Sequence, residues 1–354
     1  MMDKFVRIYS KDHEIIDELY RFAPPTYGWT LNDISTMDIS FALNDPKCDP
    51  VTMQMGNHIE LIDQSNKIVW GGVVMGQSFE DVAIRLNCMD YGILLKYCRM
   101  RAKQYPNMEY GALMRTMIED CRAARAGNLG ISIGEIATGA LKTERKVDNS
   151  DFLWDKIKEY GDDANYDYGV DNNRAFYFCL RRGQDKPYYV LEYGGDADNI
   201  IVSPSLARDI LDLANEVYAE VSIPGEDGAE DTILTTTAGN DQSIQTYGLF
   251  EGVCSINTGV TQQSTVDTSA YGDVQRRSMP ADTISLTIRD SALCPFDDIE
   301  VGDRVTLHIV PYFDYTASVR ILAMTHDESA GTRSITVGST IFKPQPPTKR
   351  FYKG

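Results

Sequence analysis

The sequence is short of the residues that most catalytic sites are built from. It has four histidines, His13, His58, His308 and His326, and none stands in an H-E-x-x-H, H-x-H or Ser/His/Asp setting. Sequence support for a zinc protease or a triad hydrolase is therefore missing. His58 and His308 lie in strand patterns and read as wall residues. Seven cysteines are scattered at wide spacing with no C-x-x-C, which suggests neither a zinc site nor a disulfide framework. They are expected to be reduced, buried thiols.

Positive charge is also scarce. Lys and Arg number 34 against 52 Asp and Glu, a net charge of -18. Nucleic-acid binding and docking on anionic membranes both need clustered cations, so neither is expected. The acidity serves solubility, or it makes a surface past which nucleic acid slides by repulsion. No run of eighteen apolar residues occurs, and "MMDKFVRIYSKDHEIIDELY" is too charged to read as a signal peptide.

Phosphate cradles are missing too. Gly71-Gly72 and Gly194-Gly195 match neither G-x-G-x-x-G nor the P-loop. The acidic stretch "EYGDDANYDYG", with Glu159, Asp162, Asp163 and Asp167, has neither EF-hand nor glycosidase spacing and reads as solvated turn acids. No catalytic residue, cofactor or metal ligand is expected, and the chain is not expected to be an enzyme.

What is present is β-structure. Apolar residues make up 43% of the chain, with 20 Tyr and 12 Phe, a globular and β-compatible composition. In "WTLNDISTMDISFAL", Met37, Ile39, Phe41 and Leu43 alternate as a half-buried strand should. "NHIELID" and "KIVWGGVVM" read as a hairpin, and "VAIRLNCMD" as the next strand. "DYGILLKYCRMR" reads as a short helix or a bend. Helical spacing follows in "PNMEYGALMRTMIEDCRAARAG", bounded by Pro106 and Gly127, and in "FLWDKIKEYG", with Asn149 or Ser150 as the cap. Next comes a hairpin, "YDYGV" and "AFYFCLRR", turning at Asp171-Asn172-Asn173. Residues 195–222 read as two strands around a loop or helical turn.

The end of the chain repeats the pattern of its start. "RVTLHIV", "TASVRILAM" and "RSITVG" have the same order of strand, turn, long strand, polar turn and strand as "HIELID", "KIVWGGVVMGQ" and "VAIRLN". Two like units around an insertion predict two similar β-barrels or sandwiches in one chain. The polar stretch from Ser255 to Met279 is expected to be a long loop or arm, or disordered. The Pro-rich, basic tail is expected to be extended.

Four stretches together resemble the tail hub proteins of tailed bacteriophages, the group of the contractile-phage baseplate hub and the siphophage tail-tip hub. They are "IELIDQSNKIVWGGVVM", "LWDKIKEYGDDANYDYGVDNNRAFYF", "DADNIIVSPSLARDILDLANEVYAEV", and the closing pair "SIQTYGLFEG" and "DIEVGDRVTLHIV". The long polar insertion at 256–283 and the basic tail depart from the pattern. The resemblance implies a mainly β chain with two tube-like β-barrel domains and a smaller α/β domain. The boundaries are 1–98 with 195–222 for the first barrel, 99–194 for the α/β insertion, 223–345 for the second barrel and 346–354 for an extended arm.

The implied role is structural. A homotrimer would present six barrels as a pseudo-hexamer to a distal tail or tail-tube protein of the sixfold tube above, and a threefold face to spike, fibre or tape-measure proteins. DNA would pass through the lumen unbound, and the protein would sit in the virion tail tip. The last domain carries 17 acidic against 7 basic residues, which suits a channel wall. Gly71, Gly72, Gly248, Gly302 and Asp303 are the expected structural positions. Trp70, Phe250, Ser255, Met279, Lys349, Arg350, Phe351 and Tyr352 are the expected interface positions. The alternative is a tail-associated cell-wall hydrolase, tested at Glu159 or Asp163, or a host-glycan-binding β module. The two glycines of "NKIVWGGVVM" are expected to let a wall strand curve or bulge; close approach by another subunit's backbone is the other reading.

Overall fold

The structure, a computed structural model, describes residues 4–124, 129–139, 142–194, 200–225, 231–256, 260–278, 281–292, 294–310, 315–339 and 348–350. The chain divides into two compact units. The first comprises Met1–Ser203, Leu286–Thr316 and Arg320–Val337, and the second Pro204–Ser285, Ala317–Val319 and Gly338–Gly354.

The path opens with β1 (Lys4–Tyr9), β2 (Ile15–Leu19), β3 (Thr26–Thr30), β4 (Thr36–Ala42), β5 (His58–Asp63), β6 (Ile68–Glu80) and β7 (Ala83–Asp90). Period-2 alternation drives the pairing. Met37, Ile39 and Phe41 of β4 stand opposite Cys88, Leu86 and Ile84 of β7, and all six are buried in one core with Val6, Ile8, Leu61 and Trp70. Burying each such aliphatic or aromatic side chain contributes about 1.5–3 kcal/mol, so a one-residue slip, which would turn the whole set outward, is disfavoured.

An α/β segment follows: α1 (Ile93–Lys96), β8 (Lys103–Glu109), α2 (Tyr110–Ala124), β9 (Ser132–Ile136), β10 (Lys142–Val147), α3 (Leu153–Ala164), β11 (Asp167–Val170) and β12 (Ala175–Cys179). The two long helices bury their apolar stripes (Leu113, Met117 and Cys121; Leu153, Ile157 and Tyr160) against Phe176 and Phe178 of β12. The helix starts differ from expectation. Pro106 lies within β8, and Glu109 closes the start of α2 by accepting from Gly111 N and Ala112 N, both at 2.9 Å. At α3 no side chain caps the helix; Asn149 instead accepts from Ala102 N. Gly127 lies outside the described residues. The β11–β12 hairpin turns where expected: Asp171 Oδ1 accepts from Asn173 N and Ala175 N, and Arg174 takes φ +62°.

Next come β13 (Asp185–Tyr193) and β14 (Ile201–Asp209). The second unit holds β15 (Glu216–Ile223), β16 (Thr232–Gly239), α4 (Asp241–Tyr247), β17 (Glu251–Cys254) and α5 (Gln263–Arg277), and β18 (Ala281–Arg289) leads out of it. Its sheet runs β17-β15-β16-β22, where β22 is Thr348–Arg350. The stretch expected as a loop or arm therefore contains a fifteen-residue helix, α5. Val266, Ala270 and Val274, four residues apart, bury against Val217, Ala219 and Ala238. A stripe that thin, made of small residues among polar ones, is hard to see in sequence.

The chain closes with β19 (Arg304–Ile309), β20 (Tyr315–Asp327) and β21 (Thr332–Ser339). β20 pairs antiparallel with β3, Met324 opposite Trp29. Early and late strands thus share one thirteen-stranded sheet ordered β14-β18-β21-β20-β3-β4-β7-β6-β5-β1-β2, with β19 beside β20 and parallel to β13. The mainly β class with a smaller helical part is as expected from the sequence.

Candidate functional site

The glycine pair sits in the middle of β6, where the strand is buried on both faces from Trp70 to Val74. Trp70 and Val74 enter the main core, while Val73 packs on Tyr91 and Ile93. A Cβ on Gly71 would lie 2.8 Å from Tyr91 Cε2 and 3.2 Å from Asn172 O. A Cβ on Gly72 would lie 2.2 Å from Met89 O and 2.5 Å from Trp70 Cη2. Close approach by the chain's own backbone and rings excludes side chains here. The bulge in the β6–β7 ladder falls further on, between Val74 and Gly76. Trp70, expected at an interface, is fully buried, and its Nε1 donates to Gly28 O at 3.0 Å.

Opposite Gly71 in the ladder stands Glu60. It is buried and accepts from Tyr9 Oη at 2.7 Å and Tyr91 Oη at 3.2 Å. His13 stacks on Tyr9 at 4.1 Å between centroids and approaches His58 at 5.6 Å. Burial pushes both imidazoles down to about 4, so they are neutral at pH 7, and neither Nδ1 has a hydrogen-bond partner among the described residues. Among the described residues no group of three His, Cys, Asp or Glu is arranged to hold a metal.

Gly302 and Asp303 lie at a second crowded point. Gly302 has φ +97°, and a Cβ there would lie 2.6 Å from Arg182 O. Asp303 is 1% exposed and accepts from Gln184 N (2.7 Å), Glu300 N (2.8 Å) and Lys186 Nζ (2.8 Å). Beside it Arg320 donates to Gly302 O (3.1 Å), Arg182 O (3.0 Å) and buried Asp167. Asp167 also accepts from Arg182 N. The arrangement ties β11, the segment 181–186 and the β19–β20 region into one polar latch. The sequence reading took Asp167 for a solvated turn acid, whereas it is buried at 5% exposure because Arg320 and Arg182 N close on it; Arg320 was missed. Asp167 opens its strand, as solvated ends often do, and Arg320 stands inside β20, where a lone charged residue reads as facing solvent.

In the second unit Gly248 ends α4 with φ +88°, and its carbonyl accepts from Asn215 Nδ2 at 2.7 Å. Asn215 is wholly buried, and its Oδ1 accepts from Phe250 N at 2.8 Å. The Tyr247–Phe250 turn is therefore held by one asparagine. Phe250 is half-buried and Ser255 exposed. Lys349 and Arg350 pair with β16 opposite Ala238 and Thr237. Met279, Phe351 and Tyr352 lie outside the described residues. The candidate hydrolase carboxylates are held by cations: Glu159 by Lys156 at 2.9 Å, and Asp163 by Arg145.

No family profile and no curated protein matches the chain. Solved structures do. A prophage tail protein, gp18, from Listeria monocytogenes is similar at 14% identity and TM-score 0.65, over 94% of each chain. The 43 kDa tail protein of prophage MuSo2 from Shewanella oneidensis matches at 10% identity and TM-score 0.69, over 96% of this chain and 100% of that one. A tail protein from Neisseria meningitidis matches at 13% and 0.67, over 97% and 99%. The chain has the fold of prophage tail proteins across nearly its full length, as the resemblance read from the sequence implied.

Proposed function

We propose that this chain is a structural hub of a phage tail tip or baseplate. The observation that carries the reading is the likeness to three prophage tail proteins along essentially the whole of both chains. A likeness in one domain would speak only for a shared module; end-to-end likeness speaks for a shared architecture.

In this reading three copies form a ring. Residues 1–98 with 195–222, and residues 223–345, supply its two wall domains, so that six walls meet the sixfold tail tube. The α/β segment 99–194 is an insertion, and 346–354 an arm. The distal face is threefold and takes a spike, fibre or tape-measure protein. The net charge of -18 suits a lumen through which DNA passes by repulsion. The role is mechanical, and no catalytic step is assigned. Exposed Ser255 and half-buried Phe250 remain candidates for subunit contact. The site of action is the virion tail tip.

Electron microscopy of the purified protein, and of the virion that encodes it, tests this. A threefold ring at the tail end is the expected result. A compact monomer at high concentration, absent from virion tails, would sink the reading.

A further inference from the structure

The first unit contains a cleft of about 610 Å³. Its walls come from β3, the β5–β6 turn, the β11–β12 hairpin, residues 296–301 and the facing positions Met324 and Arg333. That volume fits a small ligand or a short peptide.

Among the described residues, two guanidinium groups in this cleft have no ion-pair partner. Arg333 is 94% buried, since its exposure is 6%. Its guanidinium lies 4.4 Å from the Phe296 ring centroid and 5.7 Å from that of Trp29. Nη1 donates to Phe296 O, whereas buried Nε has no partner among the described residues. Burial lowers its pKa, outweighing the opposing through-space pull of Tyr27, Asp297 and Asp290. Arg182 lies over the Tyr177 ring at 4.4 Å, and among the described residues no carboxylate closes on its guanidinium.

A buried arginine kept for structure alone is ordinarily paired, because an uncompensated buried charge is costly. The two aromatic rings offset part of that cost for Arg333. They leave its fork of donors, which matches a carboxylate, largely unused.

Acids also line the cleft. Asp63 accepts from Ser65 Oγ and Lys67 N, Asp90 from Ser35 N and Gly92 N, Asp171 from Asn173 N and Ala175 N, and Asp33 from Ile34 N. Among the described residues Asp297 and Glu300 remain without an ion pair. Lys67 is a third cation of the lining, so among the described residues three cations without an ion pair and two carboxylates with neither ion pair nor hydrogen bond stand beside an apolar wall of Trp29, Val69, Ile299 and Met324, while the other four carboxylates keep their charge and are held by backbone N–H groups and Ser65.

We propose that this cleft binds a short peptide bearing both charges, its carboxylate on Arg333 and Arg182 and its ammonium on Asp297 or Glu300. Apolar side chains of the peptide lie along Trp29 and Met324. The proposal is independent of the tail assignment, since it concerns only groups within the first unit.

The test is calorimetric titration with four forms of the dipeptide Leu-Leu: free, N-acetylated, C-amidated, and blocked at both ends. The free form is expected to saturate the protein, and the doubly blocked form to bind at least about tenfold more weakly. Arg182→Gln should make the free and C-amidated forms bind alike. Asp297→Asn combined with Glu300→Gln should do the same for the free and N-acetylated forms. Arg333→Met should abolish binding; because it alters a buried position, the Arg182 variant and the Asp297 and Glu300 double variant carry the test if it fails to fold. Equal binding of all four forms, no binding by the folded wild type, or unchanged discrimination in the two surface variants would overturn the proposal.

Discussion

The strands β5–β6–β7 and β19–β20–β21 follow one plan with opposite solutions to crowding. In each, a six-residue strand precedes a thirteen-residue strand and an eight-residue return. β6 is covered on both faces along Trp70–Val74, and it carries its own glycines there. β20 buries Val319, Ile321 and Met324 while Leu322 stays 36% exposed, and it has no glycine. Its tight contact is relieved from the partner strand: Gly28 of β3 stands where a Cβ would lie 2.8 Å from Met324 O. The required absence of a side chain thus sits in the long strand in one case and in its neighbour in the other. Glycine marks a backbone approach, and the ladder decides which strand carries it.

The sharpest way to break this comparison is substitution at the glycines. Gly72→Ala is expected to cost about 3 kcal/mol or more, because Met89 O is backbone and cannot yield cheaply. Gly28→Ala should cost less, about 1–2 kcal/mol, since its contacts are looser. Gly76→Ala, whose new Cβ would meet Asn87 only at ordinary contact distance, should change stability by no more than about 0.5 kcal/mol. Urea denaturation of the three variants gives the order directly. Equal losses at Gly72 and Gly76 would show that strand curvature, not contact, sets the requirement.

The latch at Asp167 and Arg320 gives the next effect. Arg320→Met leaves buried Asp167 without its cation and should cost about 3 kcal/mol. The double change Arg320→Met with Asp167→Leu should recover much of that loss. A double variant no better than the single one would mean that the hydrogen bonds to Gly302 O and Arg182 O matter more than the charge pair.

A smaller effect comes from His58, the first residue of β5. His58 is buried and held down to about 4 from an ordinary 6.5. A depressed value means that its contribution is present above pH 6.5 and lost as pH falls toward 4, by about 3 kcal/mol in all. Asp90 works the other way: burial raises it to about 6, so its contribution is full below pH 3.8 and lost as pH rises through 6. His58→Gln should therefore flatten the decline in stability between pH 6.5 and 4, read from denaturant midpoints at several pH values. An unchanged slope would mean that His58 takes up its proton without cost.

Much of this architecture was legible in sequence. Alternation in "TMDISFA" and "AIRLNCM" placed β4 and β7, and the 3.6 spacing of Leu113, Met117 and Cys121 placed α2. The repeat of long strands was visible, but the pairing of β3 with β20 was not, since nothing local to either strand names a partner 300 residues away. Helix α5 was missed because alanine and valine at three buried positions give a weak stripe. The polar groups were the least legible. Glu60, Asp167 and Asn215 are buried by long-range packing, and their sequence neighbourhoods look like any strand end or turn. Arg333 was invisible as a candidate for the same reason: its significance lies in a carboxylate that is not beside it.

The central claim is that one chain supplies two comparable wall elements to a threefold ring. Single-particle electron microscopy of the purified protein at high concentration tests it most directly. The account predicts closed rings of three subunits with near-sixfold modulation of the inner wall. Monodisperse monomers, or rings of six subunits each giving one wall element, would contradict it.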